Sequence, residues 1–318
     1  MKLRFIFNPR SGRNTSRPWL AAHIRDFITA HRLDASLVTT AGPGHATDLA
    51  RAALAAGCDR VVAVGGDGTM NEIAQALLHS PAALALVPCG SGNGLALHLQ
   101  LPRPLDRALA LAVSPAARVI AIDTGSVNDR PFFNAMGAGF DADISDRFNR
   151  LSRRGLPAYA RTGMRAFLQR RTHPVVIRTR QRRHVLDTLL VAVANSDQYG
   201  NNARIAPGAR VDDGQLDLLA VRPLNLLSSI PLVARLFCGR IHHSSRVLHL
   251  RGSHFVIERS APGLVHTDGE THVLGSFLEV AVHPRSLRLV VPASSPIHAA
   301  PACDLVDAHS KRAPASSP

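Results

Sequence analysis

Val61-Val62-Ala63-Val64-Gly65-Gly66-Asp67-Gly68-Thr69-Met70-Asn71-Glu72 changes its period halfway along. The small, mostly β-branched residues at its start read as a buried strand. Gly-Gly-Asp-Gly cannot continue that strand. From Met70 onward, Met70, Ile73, Ala74, Leu77 and Leu78 fall on one face of a helix. The stretch predicts strand, glycine turn, helix, with Asp67 and Thr69 where the strand ends. Glycines there take φ > 0 without penalty and let the backbone approach a ligand closely. Amides opening the helix, helped by its dipole, then face an anion, and a phosphate suits them. No Lys follows the glycines, which excludes the G-x-x-x-x-G-K-[ST] loop, and the spacing is not G-x-G-x-x-G. Asp67 would repel a bare phosphate, so it points to a nucleotide carrying Mg²⁺. On this turn alone, a strand-turn-helix without a ligand stays an open alternative.

The same grammar repeats on both sides of the turn. Leu3 to Phe7 reads as a strand running into Asn8-Pro9-Arg10-Ser11-Gly12-Arg13, and a helix follows from about Arg17. Ala35 to Thr40 is a second strand, and Gly42-Pro43-Gly44 opens the next helix. Ala83 to Val87 is a fourth strand, entering a second glycine-rich turn, Pro88-Cys89-Gly90-Ser91-Gly92-Asn93-Gly94. A short helix over Leu95–Leu99, another from Leu105 to Ala112 and a strand over Val119–Ile122 complete the series. Alternating β and α units make a doubly wound α/β domain over 1–123. Its ligand loops are Asn8–Gly12, Thr40–Gly44, Gly65–Thr69 and Gly90–Asn93, at the strand ends where open sheets bind ligands.

From Thr124 the chain turns to strand-like runs separated by turns, predicting a mostly antiparallel β domain over 124–292. Its runs are Pro174–Thr179, Leu186–Ala194, Gln215–Val221, Val247–Leu250, Phe255–Glu258, Gly275–Val282 and Leu287–Val291. Two helical insertions interrupt them. Asp141 to Arg171 is Arg-rich, with Arg147, Arg150, Arg153, Arg154, Arg161, Arg165, Arg170 and Arg171 beside Phe148, Leu151, Leu156, Tyr159, Met164, Phe167 and Leu168. It reads either as a segment lying on an anionic membrane or as an ordinary solvated helical face. Leu224 to Cys238 is apolar but too short to cross a bilayer. Residues 293–318, rich in Ala, Pro and Ser, are expected to be a disordered tail.

Composition narrows the partners. Among 318 residues, 37 Lys and Arg against 23 Asp and Glu give a net charge of +14, which draws the chain to something anionic. Aromatic residues make up 4%, thin for stacking on nucleic-acid bases, so phosphates or lipid headgroups fit better and no nucleic acid is expected. An Arg-rich genome explains the same excess equally well. Cys58, Cys89, Cys238 and Cys303 stand far apart with no C-x-x-C pair, which suits reduced thiols in the cytoplasm. The N-terminus turns polar too soon for a signal peptide.

Two acidic turns lie in the second half. Asp212-Asp213-Gly214-Gln215-Leu216-Asp217 offers carboxylates around a glycine for a hard cation such as Mg²⁺, although Asp-Gly is also an ordinary hairpin turn. His266-Thr267-Asp268-Gly269-Glu270-Thr271-His272 matches no zinc spacing. It presents Glu270 or Asp268 as a general base.

Taken in order, six segments resemble the diacylglycerol kinase catalytic-domain family, in particular its bacterial lipid kinases. They are Asn8-Pro9-x-Ser11-Gly12, Gly65-Gly66-Asp67-Gly68-Thr69-x-Asn71-Glu72, Pro88-x-Gly90-Ser91-x-Asn93, Ile205-Ala206-Pro207-Gly208-Ala209, Asp213-Gly214-x-Leu216 and Asp268-Gly269-Glu270. The resemblance implies a Rossmann-like nucleotide domain, a C-terminal β-sandwich and ATP in the cleft between them. It implies that Asn8, Thr40, Gly65, Gly66, Asp67, Gly68, Thr69, Met70, Asn71, Ser91 and Asn93 hold the nucleotide. Asp213, with the carbonyls of Arg210 and Gln215, would bind Mg²⁺, Glu270 would take the proton from a lipid hydroxyl, and Asp67 would sit near the phosphates.

Three positions depart from the family pattern. Gly94 stands where an acid is expected, Gly200-Asn201-Asn202 replaces a glycine-rich run, and Gln215 replaces a frequently apolar residue. The expected protein is a cytoplasmic, transiently membrane-associated lipid kinase. A kinase of the NAD kinase type, which shares Gly-Gly-Asp-Gly, and a nucleotide- or lipid-sensing protein without turnover are the alternatives.

Overall fold

The computed structural model describes residues 1–149, 162–163 and 165–295. The chain opens as β1 (Leu3–Phe7), α1 (Leu20–Ala30), β2 (Ala35–Thr39), α2 (His45–Ala55), β3 (Arg60–Gly65) and α3 (Asp67–Leu77). It continues with β4 (Ala83–Pro88), α4 (Gly94–His98) and α5 (Leu105–Val113). β2, β1, β3 and β4 lie side by side in that order, all parallel. Every residue of β3 is buried, as a parallel strand covered on both faces requires. Ile6, Val61, Ala63 and Leu84 pack against α2 and α3, while Phe5, Val62, Val64 and Ala85 face α1 and α5. The carboxyl ends of these strands bring Asn8, Thr40, Gly65–Asp67 and Pro88–Gly90 to one edge.

The second half comprises β5 (Arg118–Val127), β6 (Arg130–Phe132), β7 (Ala135–Gly139), α6 (Phe140–Asn149), β8 (His173–Arg178), β9 (Arg183–Thr188), β10 (Leu190–Ala194) and β11 (Leu216–Val221). After it come α7 (Leu226–Phe237), β12 (Val247–Gly252), β13 (His254–Arg259), β14 (Gly263–Thr267), β15 (Glu270–Leu274) and β16 (Phe277–Val291). β12-β11-β10-β7-β14-β15 form a six-stranded antiparallel sheet. It stacks on β13, β8 and the start of β16, closing a core of Phe132, Met136, Ile177, Val193, Leu218, Phe255 and Leu278. This is the expected pairing of an α/β domain with an antiparallel β-sandwich.

β16 makes the two halves continuous. Its first residues pair with β13, and Leu289 pairs with Leu84 of β4, so one ten-stranded sheet runs through both. Gly275–Val282 and Leu287–Val291 were expected as separate strands. They are one strand with an irregularity between His283 and Leu287. Arg285 takes φ +53 there, and its amide donates to Asp123 Oδ1 at 2.8 Å, so Pro284 sits at a bulge where no ladder hydrogen bond is lost. Conversely, Leu186–Ala194 is two strands in different sheets, β9 and β10, parted at Leu189. A continuous apolar run carries no signal of where it changes sheets.

Of the Arg-rich insertion, α6 and a helical stretch over 165–168 are described. Arg150, Arg153, Arg154, Arg161, Leu151, Leu156, Tyr159 and Met164 lie outside the described residues, as does the expected tail from 296 onward. Ser295 is buried, and its carbonyl accepts from Arg118 Nη1 at 3.2 Å. No helix among the described residues is long and apolar enough to cross a membrane.

Candidate active site

The first glycine turn is tighter than its sequence suggests. α3 begins at Asp67, so Gly66, extended at φ −104 and ψ −167, alone links strand to helix. None of Gly65, Gly66 and Gly68 has positive φ, so the expected conformational reason for these glycines does not hold. The reason is close approach. A Cβ on Gly65 would stand 2.6 Å from Thr69 Cβ, and one on Gly66 would stand 2.9 Å from Ser11 Oγ and 3.0 Å from Gly90 Cα. The turn is thereby pressed between the Asn8–Gly12 loop and the second glycine loop. Asn8 Nδ2 donates to Thr69 Oγ1 at 2.9 Å, fixing the first loop to α3. First-turn amides of a helix have no intrahelical acceptor, so the start of α3 is oriented for an anion.

Asp67 binds the second loop rather than pointing into open space. Its Oδ2 accepts from the Asn93 amide at 2.7 Å and its Oδ1 from the Gly94 amide at 3.0 Å. Burial pushes its carboxyl up to about 6, with the Asp268 charge adding to the rise against the pull of those amides. Asn93 sits in the left-handed region at φ 54, and its side chain bonds back to Gly90 N and O at 3.0 and 2.8 Å. Ser91 is exposed at the loop's tip, and Thr40 is buried just past the end of β2. Met70, expected among the nucleotide contacts, is instead buried in the core under α3, and its amide donates to Gly66 O.

Two departures from the family pattern fit one another. A Cβ on Gly94 would stand 2.6 Å from Asn134 Nδ2 and 2.9 Å from the carbonyls of Gln198 and Tyr199. A Cβ on Gly200 would stand 2.9 Å from Gly92. The 198–202 loop lies on the second glycine loop, bridging Gly200 to Asn93. No space is left at position 94 for the expected acid.

Across the cleft, the β14–β15 turn carries Asp268 and Glu270. Asp268 has φ 51, and four donors reach its carboxylate: the amides of Phe133, Asn134 and Ala135 at 2.8–3.0 Å and Asn71 Nδ2 at 2.7 Å. That fills its acceptor sites and ties the sandwich to α3. Glu270 accepts no hydrogen bond from the described residues, and its Oε1 lies 3.5 Å from where a Cβ of Gly68 would be. Burial raises its carboxyl above the ordinary range, and the nearby carboxylates of Glu72 and Asp268 raise it further. Glu72 is fixed by accepting from the Ala46 amide at 3.0 Å.

A part-buried polar triad stands behind this turn. Asp141 Oδ2 accepts from Tyr199 Oη at 2.6 Å and pairs with His266 Nε2 at 2.9 Å, while the Gly269 amide donates to His266 Nδ1 at 3.3 Å. Asp141 and His266 were not foreseen in this role. The available signal is Gly137, where a Cβ would collide with Asp141 Oδ2 and lie 2.6 Å from His266 Nε2.

The expected magnesium site is arranged differently. Asp213 Oδ2 lies 2.5 Å from Arg251 Nη2, and its Oδ1 accepts from the Gln215 amide at 3.1 Å. Arg210 is turned to Asp212, with Nε–Oδ1 at 3.0 Å. No group of three or more His, Cys, Asp or Glu among the described residues is placed to hold a metal ion. Of the expected set only Asp213 brings a carboxylate, and Arg251 already pairs with it, so that set as arranged does not fit Mg²⁺. Asp123, whose carboxyl is raised by burial and then by Asp213 and Asp212, instead accepts from the amides of Gly214 and Arg285.

Glycine loops at the carboxyl edge of a parallel sheet, faced by a carboxylate from a β-sandwich, form a cleft suited to a phosphorylated ligand. Residues 2–127 match the diacylglycerol kinase catalytic domain, and residues 134–291 match the YegS C-terminal NAD kinase beta sandwich-like domain. The probable lipid kinase YegS-like protein of Pseudomonas aeruginosa PAO1 is 32% identical over 260 residues, 80% of this chain and 83% of that one. A diacylglycerol kinase of Bacillus subtilis is 27% identical over 276 residues, 85% and 89% of the two chains. A diacylglycerol kinase-like crystal structure from Bacillus anthracis str. Sterne superposes with a TM-score of 0.77 at 22% identity, covering 92% of this chain and 96% of that one. The chain belongs to this family of kinases, the diacylglycerol kinase and YegS-like group.

Proposed function

We propose that the protein transfers the γ-phosphoryl of ATP to the hydroxyl of a lipid, with Glu270 as general base. The observation that carries this reading is the placement of Glu270. It is half-buried, its carboxylate accepts no hydrogen bond from the described residues, and it faces Gly68 in the first turn of α3. Burial first, and then the carboxylates of Glu72 and Asp268, raise its basicity. A carboxylate with a free oxygen facing the turn that receives the phosphates suits removal of a hydroxyl proton. ATP lies along the loops of Asn8, Gly65–Thr69 and Ser91, its terminal phosphate at the amides opening α3. The lipid oxygen attacks the γ-phosphorus as the bond to the β–γ bridging oxygen breaks. Glu270 receives the hydroxyl proton, and ADP leaves. Asp67 and Asp268 hold the loops and the turn in register, with their oxygens engaged by amides. Family membership supports kinase chemistry and a lipid acceptor. The protein acts from the cytoplasm and reaches its lipid by transient membrane association.

The test is transfer of labelled γ-phosphate to a panel of lipids in mixed micelles, with NAD as a competing acceptor. Glu270→Gln is expected to lower kcat by about 10²–10⁴ while leaving ATP affinity within a factor of about two. An unchanged kcat would remove Glu270 as the base. Label in NAD but in no lipid would keep the fold and replace the acceptor. ATP binding without any transfer would favour the sensor alternative.

A further inference from the structure

A surface helix normally buries its apolar stripe against the protein and shows a polar face to water. α7 shows apolar residues on both faces. Leu232 is buried against Ile241 and Leu224 with Leu236 partly covered, while Leu226, Leu227, Ile230, Val233 and Phe237 are exposed. At i, i+1, i+4, i+7 and i+11, these five lie together opposite Leu232. Leu227 is 80% and Ile230 64% exposed, and five of the eleven strongly exposed large apolar side chains among the described residues sit on this one helix. Such a concentration marks an interaction surface.

Its surroundings are cationic. From Leu218 to Ile257 the chain has no Asp or Glu and five Arg. Arg222, Arg235 and Arg240, near the ends of α7, are exposed. Arg170, from the Arg-rich insertion, lies over the Phe167 ring at 3.9 Å and donates to Leu224 O at 3.1 and 2.6 Å. The two helical insertions thus meet. An apolar stripe bordered by arginines, with no acid among them, complements an anionic bilayer. Twelve residues span about 18 Å, less than the ~30 Å hydrocarbon core, so the helix lies in the plane of the interface.

We infer that α7 is the membrane-docking element, its Leu226–Phe237 stripe entering the apolar edge of an anionic leaflet while the neighbouring arginines meet headgroups. This rests on the lipid-kinase reading and adds the surface through which the bilayer is reached. Leu236 O accepts from the Arg204 amide at 3.1 Å, so the docked helix is joined to the segment that follows the 198–202 loop over the second glycine loop.

The experiment is co-sedimentation of the full chain with phosphatidylcholine vesicles, with and without phosphatidylglycerol. The double variant Leu227→Asp with Ile230→Asp is expected to lower partitioning at least about tenfold on both. The double variant Arg235→Gln with Arg240→Gln is expected to lower it about tenfold only where phosphatidylglycerol is present. In a Trp19→Phe background, Leu227→Trp fluorescence should be quenched by brominated lipid. Phosphotransfer to a dissolved short-chain diacylglycerol should be the same in all variants, separating docking from chemistry. Wild-type partitioning by the Asp variant would overturn the inference, as would a dimer in sedimentation velocity that the same variant dissociates. Stripe-dependent binding with no lipid phosphorylated would keep the docking surface and sink the kinase reading.

Discussion

Asp268 and Glu270 stand two residues apart with opposite surroundings. Four donors surround the Asp268 carboxylate, and none among the described residues reaches that of Glu270. A base must have a free oxygen to take the proton, which selects Glu270. The raised carboxyl of Glu270 has burial as its first cause and the like charge of Glu72 as its second. Protonated Glu270 accepts no proton, so kcat should rise with pH along a limb set above the ordinary glutamate range. Glu72→Gln keeps an acceptor for the Ala46 amide and removes the charge. Ionisation of Glu270 then becomes easier, and the acid limb is expected to move to lower pH. A pH–rate profile of the variant superimposing on wild type, or displaced upward, would show that Glu72 does not act on the base. Sequence reasoning could name both carboxylates of the turn but could not choose between them, because the amides of Phe133–Ala135 that occupy Asp268 lie over 130 residues away.

At the scale of elements, the glycine loops were legible because their motif and their place after a buried strand agree. Their physical role was not. Positive φ was the expected reason, whereas Gly66 and Gly90 are required because their backbones touch and Gly65 because the Thr69 side chain lies against it, and contact between distant segments leaves no period in the sequence. Position 94 lacks the acid that the family pattern leads one to expect. The structure makes that absence a packing requirement shared with the 198–202 loop. Restoring the acid with Gly94→Asp would drive a Cβ into two backbone carbonyls and Asn134 and place a charge beside the oxygens of Gln198 and Tyr199. A loss of about 1–3 kcal/mol is expected, read as a lower midpoint in urea at unchanged slope. A variant as stable as wild type would mean that the loop yields freely and that Gly94 is not fixed by it. The first four strands were read within a residue at each end, because α/β alternation is local, whereas the strand expected over Val119–Ile122 runs on to Val127 as β5. The β14–β15 hairpin was read only as its turn, since exposed and half-buried residues blur its alternation.

For the molecule as a whole, the decisive element is the one that local patterns hid. β16 was expected as two strands of the second domain, yet its final residues complete the sheet of the first, pairing with β4 and with β5 over Ile122–Arg118. No signal near Leu289 announces a partner at Leu84, because such pairing is decided by the remainder of both cores. The consequence is mechanical and thermodynamic coupling. Asp123 on β5 holds Gly214 in the sandwich and the β16 bulge, Asp268 holds Asn71, and one ten-stranded sheet crosses from half to half. Two halves joined by a flexible linker would melt separately. Halves that share a strand lose it together. Calorimetry is therefore expected to give one transition with van't Hoff and calorimetric enthalpies in agreement. Leu289→Ala empties a fully buried site between β4 and β5 at a cost of about 2–5 kcal/mol. If the sheet couples the halves, that variant lowers the single transition as a unit and exchange protection falls in β13 as well as in β3. If instead two transitions appear and only the α/β half moves, the shared strand does not couple the folding of the halves. Closure of the cleft between Gly68 and Glu270 would then depend on ligand rather than on the sheet.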